Sequence, residues 1–343
     1  MKVNYKSVTD RNPFWDSLKY LLIFTVVYGH MIETCVDNNR FNQTMYNFIY
    51  LFHMPLFVLI SGHFSHLKDN RQYLLGMTHI FETYIIFQFA RCIKPALTGG
   101  HFCLFPDLFI PKGILWYLVC LILWRLIILI TKESWLKSNK WVVLISFLIL
   151  GLGCGFVKDI DGTVSRLFAL GFFFFMGYYI KDSHWVALTR KIPVWSSFLM
   201  LFCLWFLIYS FLSFDIRRVI YFGSFYNNYS ISPLNYLGAR IFMYIFAIVV
   251  GALLMRIVYA KPLFSSYGTY TLAIFMYHTS IIVSLRPLFA NGTFLSNEAI
   301  LLILSLTTCF FLTWLVHHFK IMTIMLNPIS YYIRKYKYDT SVS

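Results

Sequence analysis

The chain has 343 residues, of which 59% are hydrophobic, 20% are aromatic and only 13% are charged. A soluble domain carries roughly 25% charged residues, so the composition excludes an ordinary soluble protein and favours one embedded in lipid. The net charge of +15 could suggest a nucleic-acid partner. No basic cluster with interleaved aromatic residues lies outside the apolar segments, however, so we expect no nucleic acid and attribute the charge to membrane topology.

The apolar segments have the length that a bilayer requires. A helix needs roughly 17–25 apolar residues to cross the hydrocarbon core. We therefore predict an all-α, polytopic membrane protein of about ten transmembrane helices. These predicted helices lie near 14–34, 43–65, 73–94, 114–131, 141–157, 164–181, 193–213, 235–259, 264–285 and 297–325.

The Lys and Arg residues of the connecting segments predict the orientation. With the N-terminus inside, the inner segments hold roughly twice as many of these residues as the outer segments, which is the bias of cytoplasmic loops. We expect both termini to be cytoplasmic, and we expect one membrane-embedded domain over residues 1–343 with a cytoplasmic tail from 327.

Polar side chains in the first predicted helix are the most informative. Lys19 and His30 are eleven residues apart, so they share one helix face and lie about 16 Å apart along the axis. Glu33 follows His30 by one turn and could orient its imidazole by a hydrogen bond. The pattern predicts His30, Glu33 and Lys19 as catalytic residues. Lys19 could equally extend to the inner interface, as lysines at helix ends do.

The second predicted helix contains His53, Pro55 and the pair Ser61-Gly62. Pro55 removes a backbone donor and frees a carbonyl near a presumed cavity. Small residues such as Ser61-Gly62 permit close helix approach, which is common between membrane helices.

Other polar groups fall at characteristic depths of the predicted topology. His30, His53, Trp116, Arg166 and His278 belong to the middle or outer half, whereas the inner half holds Lys19, Ser61, Lys68 and Arg71. This distribution suits an anionic cytosolic donor that enters a basic inner mouth and reacts at deeper imidazoles. For Trp116 an aromatic belt, and for Arg166 an interfacial anchor, are the alternatives.

Several motifs follow one another along the chain: Lys19 with His30 after ten intervening residues, His53-Met54-Pro55-Leu56-Phe57 leading to Ser61-Gly62, Leu115-Trp116-Tyr117-Leu118, Leu167 through Tyr178, and Leu272 through His278. This ordered set resembles the acyltransferase-three family, closest to its fucose 4-O-acetylase-like branch. The resemblance implies ten core helices, an acyl-coenzyme A donor that is usually acetyl-CoA, and His30 at the chemistry. Lys19 stands where many members carry Arg, so the charge is kept but the bidentate fork is lost.

The residues and the resemblance together predict an enzyme that moves an acyl group, in the main case acetyl, from acyl-CoA to a sugar hydroxyl of a cell-surface glycan or its lipid-linked precursor. His30 would act as general base or would itself carry the acyl group. Ser61, Gly62, Lys68 and Arg71 would line the donor or acyl passage, and His53, Trp116, Arg166 and His278 would bind the acceptor.

We expect no metal and no permanently bound cofactor, with acetyl-CoA as co-substrate, and we expect the chain in a bacterial inner or plasma membrane. A transporter or flippase for a lipid-linked sugar is the main rival, because intramembrane His, Glu and Arg also suit proton relays. A structural membrane subunit would explain neither the face that Lys19 and His30 share nor the later imidazoles.

Overall fold

The computed structural model describes residues 12–67, 69–97, 110–181, 183–184, 187, 190–211, 232–289 and 297–329, and all regular structure in these ranges is helical. The α-helices are α1 (Pro13–Ile32), α2 (Arg40–His63), α3 (Asn70–Leu97), α4 (Trp116–Ile130), α5 (Glu133–Ser138), α6 (Lys140–Gly153), α7 (Gly162–Tyr179), α8 (Val194–Phe211), α9 (Pro233–Ala260), α10 (Thr271–Phe289), α11 (Glu298–His318) and α12 (Lys320–Leu326). Short 3-10 helices cover Glu33–Cys35, Gly113–Leu115, Cys154–Phe156 and Ser265–Tyr270.

Within the described part of the chain, 6 helical segments are long and apolar enough to cross a membrane. They are Arg40–His63, Gly113–Ile130, Val194–Phe211, Pro233–Ala260, Ser265–Phe289 and Glu298–His318. Helix α8 carries large apolar side chains on its surface, with Trp195 70% and Phe211 80% exposed. Apolar surface of this kind is stable against lipid, so the chain is a multi-pass helical membrane protein.

Each of the ten predicted spans coincides with a helix. The four that are not among the six apolar segments are α1, α3, α6 and α7. Helix α6 belongs to a shorter apolar segment, Lys140–Phe156, whereas the other three carry charged residues within their length. The count of ten crossings remains a prediction.

Two predicted helices are divided differently in the structure. The segment 297–325 is broken at Phe319, whose extended backbone (φ −105°, ψ 96°) separates α11 from the short helix α12. The segment 264–285 begins as the 3-10 helix Ser265–Tyr270 and becomes α-helical only at Thr271. The hydropathy of the sequence does not detect either change, because the apolar residues continue through both positions.

The chain divides into two compact units. Among the described residues, the first comprises those of 12–60, 180–211 and 232–314, and the second comprises those of 61–179 and 315–329. Helix α2 therefore contributes its first part to one unit and its last residues to the other.

In the first unit, α1 is the central element. Asn12 caps its start by accepting a hydrogen bond from the backbone N–H of Phe14 over 3.1 Å. The helix packs on the 3-10 helix Ser265–Tyr270 and on α10. The approach is so close that a Cβ atom at Gly268 would overlap the backbone of Asp16, so only glycine fits there. This packing fixes α10 beside α1.

In the second unit, α7 packs on both α6 and α4, and α4 also packs on α3. Trp124 is fully buried, stacks on Phe174 with ring centroids 5.1 Å apart and donates its indole N–H to the carbonyl of Leu167 over 3.0 Å. Gly62 lies directly on the backbone carbonyl of Phe174, where any Cβ atom would overlap that oxygen. The unit thus holds the end of α2 firmly against α7.

Candidate active site

His30 and Glu33 form a side-chain pair at the end of α1. The Nδ1 atom of His30 lies 3.0 Å from the Oε2 atom of Glu33, which belongs to the 3-10 helix that continues α1. Both side chains are only partly buried, at 25% and 31% exposure. A carboxylate only accepts hydrogen bonds, so the neutral imidazole donates from Nδ1 and carries its lone pair on Nε2. The pair therefore has the form of a general base with an orienting carboxylate.

Tyr50 of α2 contacts the same imidazole. Its hydroxyl oxygen lies 3.2 Å from Nδ1 of His30, and its ring stacks on buried Tyr46 with centroids 4.0 Å apart. On its other side Tyr50 meets His53 edge-on at 4.7 Å. Tyr46, Tyr50 and His53 are spaced so that they line one face of α2, and Tyr50 is the member of this row that contacts His30.

His53 is buried and its tautomer is fixed by its own helix. Nδ1 donates to the carbonyl of Ile49, four residues earlier, over 2.8 Å. A neutral imidazole bonded in this way carries its lone pair on Nε2. The Tyr50 ring, which contacts both His53 and His30, links the two imidazoles.

His278 of α10 is fully buried and is held in the same manner, with Nδ1 donating to the carbonyl of Ile274 over 3.0 Å. Its ring lies 5.3 Å from the ring of His30, centroid to centroid. The packing of α1 on α10 thus places two imidazoles side by side, although they are 248 positions apart in the chain. Sequence spacing alone does not reveal this neighbour of His30.

Lys19 lies away from this cluster. Its Nζ atom pairs with Oδ1 of Asp16 over 3.2 Å, near the start of α1, and the Lys19 side chain is 25% exposed. Three helical turns separate it from His30, in agreement with the rise of 1.5 Å per residue. In the structure Lys19 is thus an ion-pair member on the predicted face of α1 rather than a contact of His30.

The residues predicted for the acyl passage lie in the second unit. The hydroxyl groups of Ser61 and Tyr117 are 2.6 Å apart and share a hydrogen bond, and Gly62 packs on α7. The Arg71 side chain is exposed. Lys68 lies outside the described residues.

Trp116 and Arg166 form a separate pair in the second unit. The guanidinium carbon of Arg166 lies over the Trp116 ring, 5.1 Å from its centroid, and both side chains are partly buried. A cation over an indole face is a favourable contact. The structure brings these two predicted residues together, on α4 and α7.

The structure also identifies residues that the sequence interpretation missed. Tyr50 could have been found from its position three residues before His53, on the same helix face. Tyr117 was visible only as part of an aromatic run at a membrane interface. Arg125 is a lone charge in an apolar helix, and that signal by itself marks a functional candidate.

In the described part of the chain, no three His, Cys, Asp or Glu side chains are close enough together to hold a metal ion.

Comparison with known proteins assigns this helical architecture to a family. The family model described as an acyltransferase domain, of the acyltransferase-three type, matches residues 12–317. A segment of 59 residues is 37% identical to the nodulation protein NolL of Sinorhizobium fredii (strain NBRC 101917 / NGR234), which covers 16% of this chain and 16% of that protein. No solved structure matches the chain significantly. Since the matched region covers nearly all of its helices, the chain belongs to the acyltransferase-three family.

Proposed function

We propose that this enzyme transfers an acyl group, acetyl in the main case, from acyl-coenzyme A to a hydroxyl group of a sugar in a cell-surface glycan or its lipid-linked precursor. The observation that carries the proposal is the contact of 3.0 Å between Nδ1 of His30 and Oε2 of Glu33. It leaves Nε2 of His30 as the atom that accepts a proton. A sugar hydroxyl needs such a base, because it is a poor nucleophile at neutral pH.

The proposed reaction begins with transfer of the hydroxyl proton to Nε2 of His30. The sugar oxygen attacks the thioester carbonyl, a tetrahedral intermediate forms, and its collapse breaks the carbon–sulfur bond. The imidazolium of His30 then returns the proton to the departing thiolate, which leaves as coenzyme A. Glu33 stabilises the imidazolium while it exists, and the hydroxyl of Tyr50 helps to hold the ring in place. Acylation of His30 itself is the alternative course.

The neighbouring imidazoles are proposed to meet the acceptor. His278, with its ring 5.3 Å from that of His30 and its Nε2 carrying the lone pair, suits a hydrogen bond from a second sugar hydroxyl. His53 is proposed to act beside Tyr50. Trp116 is proposed to stack on a sugar face, and Arg166 to hydrogen-bond its hydroxyls.

Roles toward the donor are proposed for five residues. Ser61 and Gly62 would line the passage of the acyl chain, Arg71 and Lys68 would attract the anionic donor, and Lys19 would contact its phosphates. We further propose ten membrane crossings with both termini in the cytoplasm, in a bacterial inner membrane. The bacterial source of the partly similar nodulation protein supports that assignment.

The test is acetyl transfer by the full chain, purified in detergent, from radiolabelled acetyl-CoA to a panel of free and lipid-linked sugars. The wild type is expected to release coenzyme A and to label an acceptor, whereas His30→Ala is expected to do neither. If the wild type neither binds coenzyme A nor consumes acetyl-CoA, the proposed donor is wrong. If the same protein, reconstituted in vesicles, moves an unmodified lipid-linked sugar across the vesicle membrane, a flippase is favoured instead.

A further inference from the structure

Arg125 is the one charged residue of α4, whose other residues are apolar or aromatic. Its side chain is half-buried in the second unit. A charge in a membrane-spanning helix is costly unless it pairs with an opposite charge or faces a polar cavity, so such a residue requires an explanation. The proposed reaction does not yet use it.

The groups that Arg125 contacts in the described part of the chain are neutral. Its Nε atom donates to the hydroxyl of Ser65 over 3.2 Å, and its guanidinium carbon lies 5.9 Å from the ring centroid of Tyr73. The Tyr73 hydroxyl donates to the backbone carbonyl of Arg125 over 3.1 Å. On α3, a Cβ atom at Gly76 would lie 3.4 Å from Nη1. Small Gly76 thus leaves room for the guanidinium between α3 and α4.

No carboxylate within the described ranges lies at ion-pair distance from Arg125. The ion pairs of this unit include Lys137 with Glu133, over 2.7 Å, but not Arg125. Ser65 satisfies only Nε, so the two terminal nitrogen atoms keep their fork of N–H donors for another group. Such a fork matches the oxygen atoms of a phosphate group.

The hydrogen bonds around Arg125 continue into the proposed acyl passage. The Ser65 hydroxyl donates to the carbonyl of Ser61 over 2.6 Å, and the Ser61 hydroxyl shares a bond with Tyr117. A connected line of polar groups therefore leads from Arg125 to Ser61, next to Gly62. In the predicted topology Arg125 lies toward the cytoplasmic end of α4, on the same side as Arg71.

We infer that Arg125 binds a phosphate group of the acyl donor, oriented by Ser65 and helped by the Ser61–Tyr117 pair. The inference rests on the proposed function, which supplies a phosphate-bearing donor on the cytoplasmic side. The chemistry recognised is a phosphate, which coenzyme A, free diphosphate and a lipid headgroup all offer. An uncompensated arginine beside the acyl passage would anchor the donor while its thioester reaches deeper into the protein.

The experiment measures binding of coenzyme A to the full chain in detergent, for the wild type, Arg125→Gln and the control Lys140→Gln. Lys140 is exposed at the start of α6, and its variant makes the same change in net charge. Arg125→Gln is expected to bind coenzyme A about tenfold more weakly or worse, because a hydrogen-bonded charge is lost. Lys140→Gln should bind as the wild type does. Equal affinity of wild type and Arg125→Gln would overturn the inference.

Arg125→Lys covers the case in which the glutamine variant fails to fold. It keeps the charge and loses the fork, so several-fold weaker binding is expected, and unchanged affinity again overturns the inference. Thermal stabilisation by inorganic diphosphate and by phosphatidylglycerol separates the possible sources of the phosphate. If diphosphate or phosphatidylglycerol stabilises the wild type but not the Arg125 variants, and coenzyme A stabilises neither, then Arg125 binds phosphate but the proposed donor is wrong. If none of the three ligands binds or stabilises the wild type, both the phosphate site and the proposed donor are wrong.

Discussion

The Nδ1 atom of His30 lies 3.0 Å from the Oε2 atom of Glu33, one helical turn further along the chain. The tautomer of His30 therefore depends on this carboxylate, because the proton on Nδ1 is held there and the lone pair is directed to Nε2. Removing the charge of Glu33 should consequently impair the base without removing it.

Glu33→Gln is expected to lower kcat about 10- to 100-fold, since a hydrogen bond to a charged group contributes roughly 1.5–3 kcal/mol. Steady-state kinetics with acetyl-CoA and the identified acceptor measure this effect. Glu33→Asp keeps the charge and should retain more activity than the glutamine variant. A glutamine variant with wild-type kcat would show that Glu33 does not support His30.

Tyr50→Phe removes the hydroxyl that lies 3.2 Å from Nδ1 of His30 and keeps the ring that packs on Tyr46 and His53. A loss of roughly 2- to 10-fold in kcat is expected, because a neutral hydrogen bond contributes about 0.5–1.5 kcal/mol. The melting temperature should stay near that of the wild type.

The double variant of Tyr50→Phe with Glu33→Gln tests whether both groups act on one nitrogen atom. Their effects should not add, since residues with a shared partner are coupled. If the two substitutions lower kcat in a strictly additive way, Tyr50 does not act through His30.

His278→Phe keeps a ring beside His30 and removes both nitrogen atoms. If His278 binds the acceptor, KM for the acceptor should rise roughly 2- to 10-fold while kcat changes less, as expected for loss of one neutral hydrogen bond. Kinetics at saturating acetyl-CoA with varied acceptor separate the two constants. If the variant has a normal KM for the acceptor and a lowered melting temperature, His278 stabilises the fold and does not bind the acceptor.

Gly62→Ala is expected to destabilise the fold by about 1–3 kcal/mol, because the added methyl group would overlap the backbone carbonyl of Phe174 and force α2 and α7 apart. Thermal unfolding in detergent measures the change. Gly153→Ala is the matched control, since nothing lies within 4 Å of a Cβ atom there. Equal melting temperatures for the two variants would contradict the close packing at Gly62.

The helical class and the approximate positions of the helices follow from the sequence, because apolar length is a direct physical requirement of the bilayer. The contact of His30 with Glu33 follows as well, since it depends only on helix geometry. Hydropathy does not reveal the break at Phe319, because its cause is a backbone conformation within an apolar run.

The tertiary neighbours lie beyond such reasoning. The approach of His278 to His30 depends on the packing of α10 against α1, which includes the fit of Gly268 on Asp16. The contact of Trp116 on α4 with Arg166 on α7 also emerges only in three dimensions. These contacts depend on interhelical packing rather than on spacing within one helix.

The most direct test of the central claim is the rate of acetyl transfer by His30→Gln compared with that of His184→Gln. His184 is exposed, and the substitution is the same. A general base contributes about 10²–10⁴-fold to the rate, so His30→Gln should transfer at least about 100-fold more slowly while His184→Gln matches the wild type. Acetyl transfer by His30→Gln at the wild-type rate, in a folded protein, would contradict the assignment of His30 as the catalytic base.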